Sequence, residues 1–204
     1  MKGKIQTIAS NSFSSFIIYF LFNFSSVLID FFFHADLFLD SMASSSSSFP
    51  SSSISSTSKW TYDVFLSFSG EDTRNTATDF IYYALVEKGI NTFKDDQKLE
   101  KGKTIKPELL RAIKESKFAI VILSENYAFS TWCLDELVKI IDCETKKEIT
   151  VFPIFYNVDP SDVRKQIGTF SLVKHEKHFK EKVETWKAAL SHVADLAGYH
   201  VKNR

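Results

Sequence analysis

The chain reads as an α/β domain built on a parallel sheet and preceded by a segment of different character. Three observations lead there. Short apolar runs alternate with stretches of helical period from Tyr62 onward. One of those runs, FAIVIL at residues 118–123, is apolar at every position, as a strand is when both faces of its sheet are covered. Glycine, proline and clusters of charge punctuate the alternation at the expected turns.

The elements follow in order. YDVFLSF (residues 62–68) combines β-branched and aromatic residues in a short run and predicts a buried strand. The polar loop SGEDTRN begins at Ser69. Residues 76–88 have helical period, with Phe80, Ile81, Ala84 and Leu85 on one side, and Gly89 is placed to cap the end. Residues 90–93 predict a second strand, followed by the charged loop KDDQKLEKGK at residues 94–103. Pro107 suits the first turn of a helix whose face is Leu109, Leu110 and Ile113. The third strand is the apolar run at 118–123, and a helix follows over 132–147. TVFPIFY (residues 150–156) is a fourth strand; Pro153 removes a ladder donor and places it near a sheet edge. NVDPSDVR at 157–164 has turn chemistry and reads as a loop. Residues 169–196 are largely helical, with Trp186, Ala189, Leu190 and Val193 as the apolar side, and residues 199–201 are the candidate fifth strand. Such an order requires right-handed crossovers and gives a doubly wound, flavodoxin-like layout of about five parallel strands flanked by helices. Ligands then belong at the carboxyl ends of the strands, in the loops 69–75, 94–103, 124–131 and 157–164.

Composition divides the 204 residues into three zones. Nine of the 20 phenylalanines fall within residues 1–41, and residues 5–29 carry no charge. That stretch is long enough to span a bilayer, and Lys2 and Lys4 precede it as in a signal anchor. Met42 opens MASSSSSFPSSS, which resembles a natural start, so a translated leader is the other reading of residues 1–41. A membrane anchor through residues 5–33 would carry the domain to the far side of the membrane from Lys2 and Lys4. A leader instead leaves it cytoplasmic. Residues 42–58 are a serine tract with the composition of a flexible linker. Residues 59–204 form the domain, with 23 basic and 22 acidic side chains. That balance excludes a polybasic nucleic-acid binder. Two cysteines cannot build a disulfide framework, and no Cys/His set has zinc spacing, so no metal site is expected. Gly102-Lys103-Thr104 resembles the end of a phosphate loop, but Gln97 stands where that loop needs glycine.

The words YDVFLSFSGEDTR, FKDDQKLEKGKTI, SENYAFSTWCLDEL, FPIFYNVDPSDVRKQIGTF and WKAAL…LAGYH occur in the order and at the spacing of plant TIR domains. The resemblance covers residues 60–201 and is to the N-terminal module of TIR-type nucleotide-binding leucine-rich-repeat immune receptors. No nucleotide-binding domain follows before Arg204, so the chain looks like a TIR-only protein or a truncated product. The resemblance implies immune signalling through cleavage of the nicotinamide–ribose bond of NAD or NADP, with hydrolysis or cyclisation of the product. The nucleotide is substrate, and no bound cofactor is implied.

By the same resemblance the catalytic carboxylate is Glu136, the last acidic residue of WCLDEL. A helical wheel agrees. Leu134, Leu137, Val138, Ile140 and Ile141 define the buried side, Asp135 and Asp142 turn toward solvent, and Glu136 lies at the margin beside Trp132. One carboxylate suffices for this reaction, because cationic nicotinamide departs neutral and needs no general acid. Glu136 would stabilise the oxocarbenium-like transition state while Trp132 stacks on a ring of the substrate. Ser69 and Gly70 line the first loop, and Lys101 and Gly102 lie in the loop that can cover substrate or touch a neighbouring TIR domain. The family word is FRGEDTR; Ser69 stands in place of its arginine, which removes a cation from the phosphate side. Arg74 remains, with Asp72 as its expected partner. Cys133 reads as a buried thiol and His175, Glu176 and His178 as solvated helix surface. The family self-associates partly through its first helix, where this chain has Asp79-Phe80. The implied partners are further TIR domains, in homotypic pairs or in full-length receptors. The competing function is a non-catalytic adaptor that binds those receptors.

Overall fold

The computed structural model describes residues 60–94 and 107–202. Five strands and five helices alternate along them: β1 (Tyr62–Phe68), α1 (Asp79–Glu87), β2 (Thr92–Lys94), α2 (Pro107–Lys114), β3 (Ser116–Leu123), α3 (Thr131–Thr145), β4 (Thr150–Tyr156), α4 (Pro160–Lys165), α5 (Val173–Asp195) and β5 (Tyr199–Val201). The sheet order is β2-β1-β3-β4-β5 and every pairing is parallel. The flavodoxin-like expectation therefore holds.

Strand register sorts the side chains. Phe65, Ala119 and Val151 lie level across β1, β3 and β4, and all three belong to the main core. That core also takes in Leu109 and Ile113 of α2, Leu134, Leu137 and Ile140 of α3, and Trp186, Leu190 and Val193 of α5. Level with Leu66 is Ile120, which points to the opposite face; both are buried, as are Ile81 and Leu85 of α1.

β1 and β4 have the bounds that their sequence predicts. Gly89 adopts φ +76° after α1, and its N–H donates to the Val86 carbonyl, which is the left-handed cap expected there. β4 is next to the edge. β5 pairs only with Ile154–Tyr156, so Pro153 sits just before that ladder begins and its missing N–H breaks nothing. Gly198 makes this possible. A Cβ there would lie 2.6 Å from the Pro153 carbonyl oxygen, so only glycine lets the chain approach.

Four expectations change. α1 starts at Asp79 rather than residue 76, because Thr76 (φ −133°, ψ −106°) breaks the preceding turn of helix. The second strand is Thr92–Lys94, so Lys94 belongs to the sheet and not to the loop. Its ammonium is buried against Asp79, 2.8 Å away, and over the Tyr82 ring. The stretch 157–164 is not all loop: Asp159 accepts from Ser161 N and starts the short α4, with Pro160 in its first turn. α5 is one long helix with an interruption at Phe179. Residues 1–41, the serine tract 42–58, and Lys101 and Gly102 lie outside the described residues. Among the described residues no helix is long and apolar enough to cross a membrane.

Candidate active site

The β1–β2 connection runs to one side of β1, and the return to β3 crosses to the other. The carboxyl ends of β1 and β3 therefore flank the point where strand order reverses, the place where open α/β sheets leave a crevice. Three segments meet there: the end of β1, the loop after β3, and the first turns of α3.

α3 begins cleanly. Ser130 is extended (φ −91°, ψ 114°) and its hydroxyl accepts from the Cys133 amide 3.3 Å away, which satisfies one of the free N–H groups of the first turn. Trp132 and Glu136 follow one turn apart on the same side. Both are buried, Trp132 at 8% exposure and Glu136 at 7%. Burial of Glu136 goes further than the margin position read from the wheel. Its carboxylate is reached from the sheet: the Ser67 hydroxyl donates to Oε2 at 3.0 Å. Ser67 in turn lies 2.9 Å from the hydroxyl of Tyr127, whose ring is wholly buried under the loop after β3. Tyr127 also donates to the Cys133 carbonyl at 3.1 Å. Burial, with the Glu136 charge as a further cause, pushes both the Tyr127 phenol and the Cys133 thiol well above their ordinary ranges. Cys133 is thus a protonated thiol that donates to the Phe68 carbonyl, as its sequence setting predicts, and not a nucleophile.

The first loop is tied to the third. Asp72 accepts from the Ser124 hydroxyl and the Asn126 amide, both at 3.0 Å, so it braces two loops instead of pairing with Arg74. Arg74 lies over the Phe68 ring and against Gly70. Ser69 is buried, and its carbonyl accepts from the Thr73 amide and hydroxyl. Gly70 is exposed at the mouth of the loop.

Two other residues depart from their sequence reading. Asp135 does not face free solvent: it accepts from Trp186 Nε1 at 2.9 Å and Lys182 Nζ at 2.7 Å, joining α3 to α5. A wheel sees only one helix, and α5 arrives from elsewhere in the chain. His175 is likewise buried, with Nε2 2.9 Å from the Ala128 carbonyl and its ring against Phe179 and Trp186. Glu176 and His178 are exposed, as read. Asp79, on the helix where self-association was expected, is ion-paired to Lys94 of the same chain, and Phe80 beside it is half-buried.

Of the residues named from sequence, Trp132 and Glu136 stand together on α3 and Ser69 and Gly70 follow the end of β1; Ser67 and Tyr127, which the structure brings to Glu136, were not named. One signal was present. Ser67 is the one polar residue among the five buried positions of YDVFLSF, and a polar residue at a core-facing strand position needs a partner. One more polar atom stands out. Trp132 Nε1 is buried with no hydrogen-bond partner among the described residues.

The chain belongs to the TIR domain family, whose profile matches residues 61–204. It is similar to plant disease resistance proteins: 53% identical over 163 residues to Disease resistance protein RPV1 of Vitis rotundifolia, covering 77% of this chain. With TMV resistance protein N of Nicotiana glutinosa the identity is 56% over 151 residues, 72% of this chain. The matched regions are 12% and 13% of the length of those two relatives. Among solved structures, the TIR domains of the activated Roq1 resistosome recognising the pathogen effector XopQ superpose with a TM-score of 0.61 at 51% identity, over 68% of this chain and 87% of that one.

Proposed function

We propose that this chain is a plant immune-signalling TIR domain that, when self-associated, cleaves the nicotinamide–ribose bond of NAD or NADP. The observation that carries the reading is Glu136: a carboxylate 7% exposed at the β1/β3 switch point, one helical turn from Trp132. The similarity to resistance proteins and to a resistosome TIR domain supports the immune setting and the self-association.

The chemistry follows from the charges. As the C1′–nitrogen bond breaks, its electron pair returns to the pyridinium ring and nicotinamide leaves neutral. Positive charge develops on the ribose, and the largely buried Glu136 carboxylate stabilises it. Attack of water at C1′ yields the ribosyl product and one proton. Attack by a nitrogen of the adenine ring of the same molecule yields a cyclic product. The Trp132 ring supplies a stacking surface, and its Nε1–H, without a partner among the described residues, donates to an acceptor of the substrate. Arg74 and Gly70 sit together at the mouth of the first loop, where a phosphate can approach.

The deciding experiment is nicotinamide release from NAD by the purified full chain at high protein concentration, beside Glu136→Ala. Release by the wild type and none by the variant is expected. Equal release by both would remove Glu136 from the reaction. No release by the wild type under assembly-promoting conditions would overturn the enzymatic reading in favour of a binding adaptor, and Ser69→Arg, which restores the family cation, would then be assayed.

A further inference from the structure

Ser67, Tyr127 and Glu136 come from three separate segments and meet inside the protein, at 1%, 0% and 7% exposure. Three contacts set oxygens in line: the Cys133 carbonyl, Tyr127 Oη at 3.1 Å, Ser67 Oγ 2.9 Å beyond, and Glu136 Oε2 a further 3.0 Å. Three contacts need three protons, and the carbonyl at one end can only accept. The two hydroxyls hold two. With a proton on Oε2, all three contacts are made in one direction, from Glu136 to Ser67 to Tyr127 to the Cys133 carbonyl. With Glu136 ionised, Ser67 must donate to the carboxylate, and the Tyr127 proton can turn from the Cys133 carbonyl to Ser67. The line then runs the opposite way and ends on the negative charge, where each donor polarises the next.

We infer that Ser67 and Tyr127 are positioning residues for Glu136: a two-hydroxyl line that aims its carboxylate and, by reversing direction, accommodates the gain or loss of the carboxyl proton. No atom is transferred beyond that proton, which goes to or comes from water. The hydroxyl rotors turn in place because both oxygens are held by the fold, Ser67 by β1 and Tyr127 by a loop that His175 anchors through the Ala128 carbonyl. The Glu136 charge is felt by Tyr127 and Cys133, and both stay protonated. The two hydroxyls are rotatable donors on this side of the carboxylate. The aim of the carboxylate matters catalytically only if the proposed cleavage is right; the line of hydroxyls stands without it.

The test is the titration of Glu136 itself. Full chain carrying ¹³C at the glutamate carboxyl carbons is titrated by NMR, with the Glu136 signal assigned by its loss in Glu136→Gln. Ser67→Ala is expected to raise the midpoint by about one to two pH units, the size of a lost charge-assisted hydrogen bond. Tyr127→Phe is expected to raise it by less, in the same direction. In the nicotinamide assay the acid limb of kcat should move by the same amounts, with KM changed less than about twofold. Ser67→Cys, which keeps the volume and weakens the donor, should lie between wild type and alanine. An unmoved midpoint in folded Ser67→Ala and Tyr127→Phe would overturn the proposal. So would loss of folding in all three variants, which would make the pair a packing element. A wild type that releases no nicotinamide would overturn the enzymatic reading alone, and the midpoints would still decide this one.

Discussion

Trp132 shows how one atom sharpens a residue's role. Its ring can stack on a substrate from any orientation, but a buried N–H without an acceptor among the described residues is costly and asks for one. Trp132→Phe keeps the stacking surface and removes only the donor. KM for NAD is expected to rise about two- to tenfold with kcat little changed, the yield of one hydrogen bond; an unchanged KM would return Trp132 to a purely stacking role. His175 carries a prediction of another kind. Burial lowers its pKa from the usual value, outweighing the opposing hydrogen bond to Ala128. The unfolded chain therefore takes up a proton, below about pH 6.5, that the folded chain refuses. Stability is full above that pH and falls as acid is added through the interval down to the folded pKa. Thermal unfolding between pH 7.5 and 5.5 should show this decline, and His175→Gln should flatten it. Both residues were visible in the sequence as types. What each touches was not, because Trp132 and His175 find or lack partners only across segments distant in the chain.

At the scale of elements, local signals carried most of the boundaries. β1 and β4 were legible because apolar runs of their length bounded by polar turns leave little choice, and Gly89 marked the end of α1 through a backbone angle other residues avoid. One element was not. α4 hides in turn chemistry, since Asp159 and Pro160 serve a turn or a helix start equally well. β5 lies where its short candidate run stood, at residues 199–201, and forms because β4 offers it an open edge. The crossing of Gly198 over Pro153 holds that edge. Gly198→Ala would set a Cβ 2.6 Å from a backbone oxygen and is expected to destabilise the domain by roughly 1–3 kcal/mol in denaturant unfolding. A cost near zero would mean that β5 moves away freely.

At the scale of the whole molecule, strand order decides where the site is. Alternation of strands and helices predicts a parallel sheet, and the carboxyl ends of its strands as the binding edge, without choosing among them. The order β2-β1-β3 makes the β1/β3 ends the choice and brings Ser67, Tyr127 and Glu136 together there. If activity needs a neighbouring protomer, nicotinamide release per mole of protein should rise with protein concentration, and Phe80→Glu on α1 should abolish the rise. A specific activity constant over a hundredfold dilution would make the monomer the active unit.

Residue order by itself determined the fold class, the family motifs, and Glu136 with Trp132 as the pair to watch. These are local properties: hydrophobic period, turn chemistry, and two side chains one helical turn apart. Only the tertiary structure decided that Glu136 is buried against Ser67 and Tyr127, that Asp72 braces two loops, that Asp135 ties α3 to α5, and that His175 is an interior residue. Each of these is a hydrogen bond between segments some 50 to 70 residues apart. Burial is set by what packs from the other side, which no window along the chain contains.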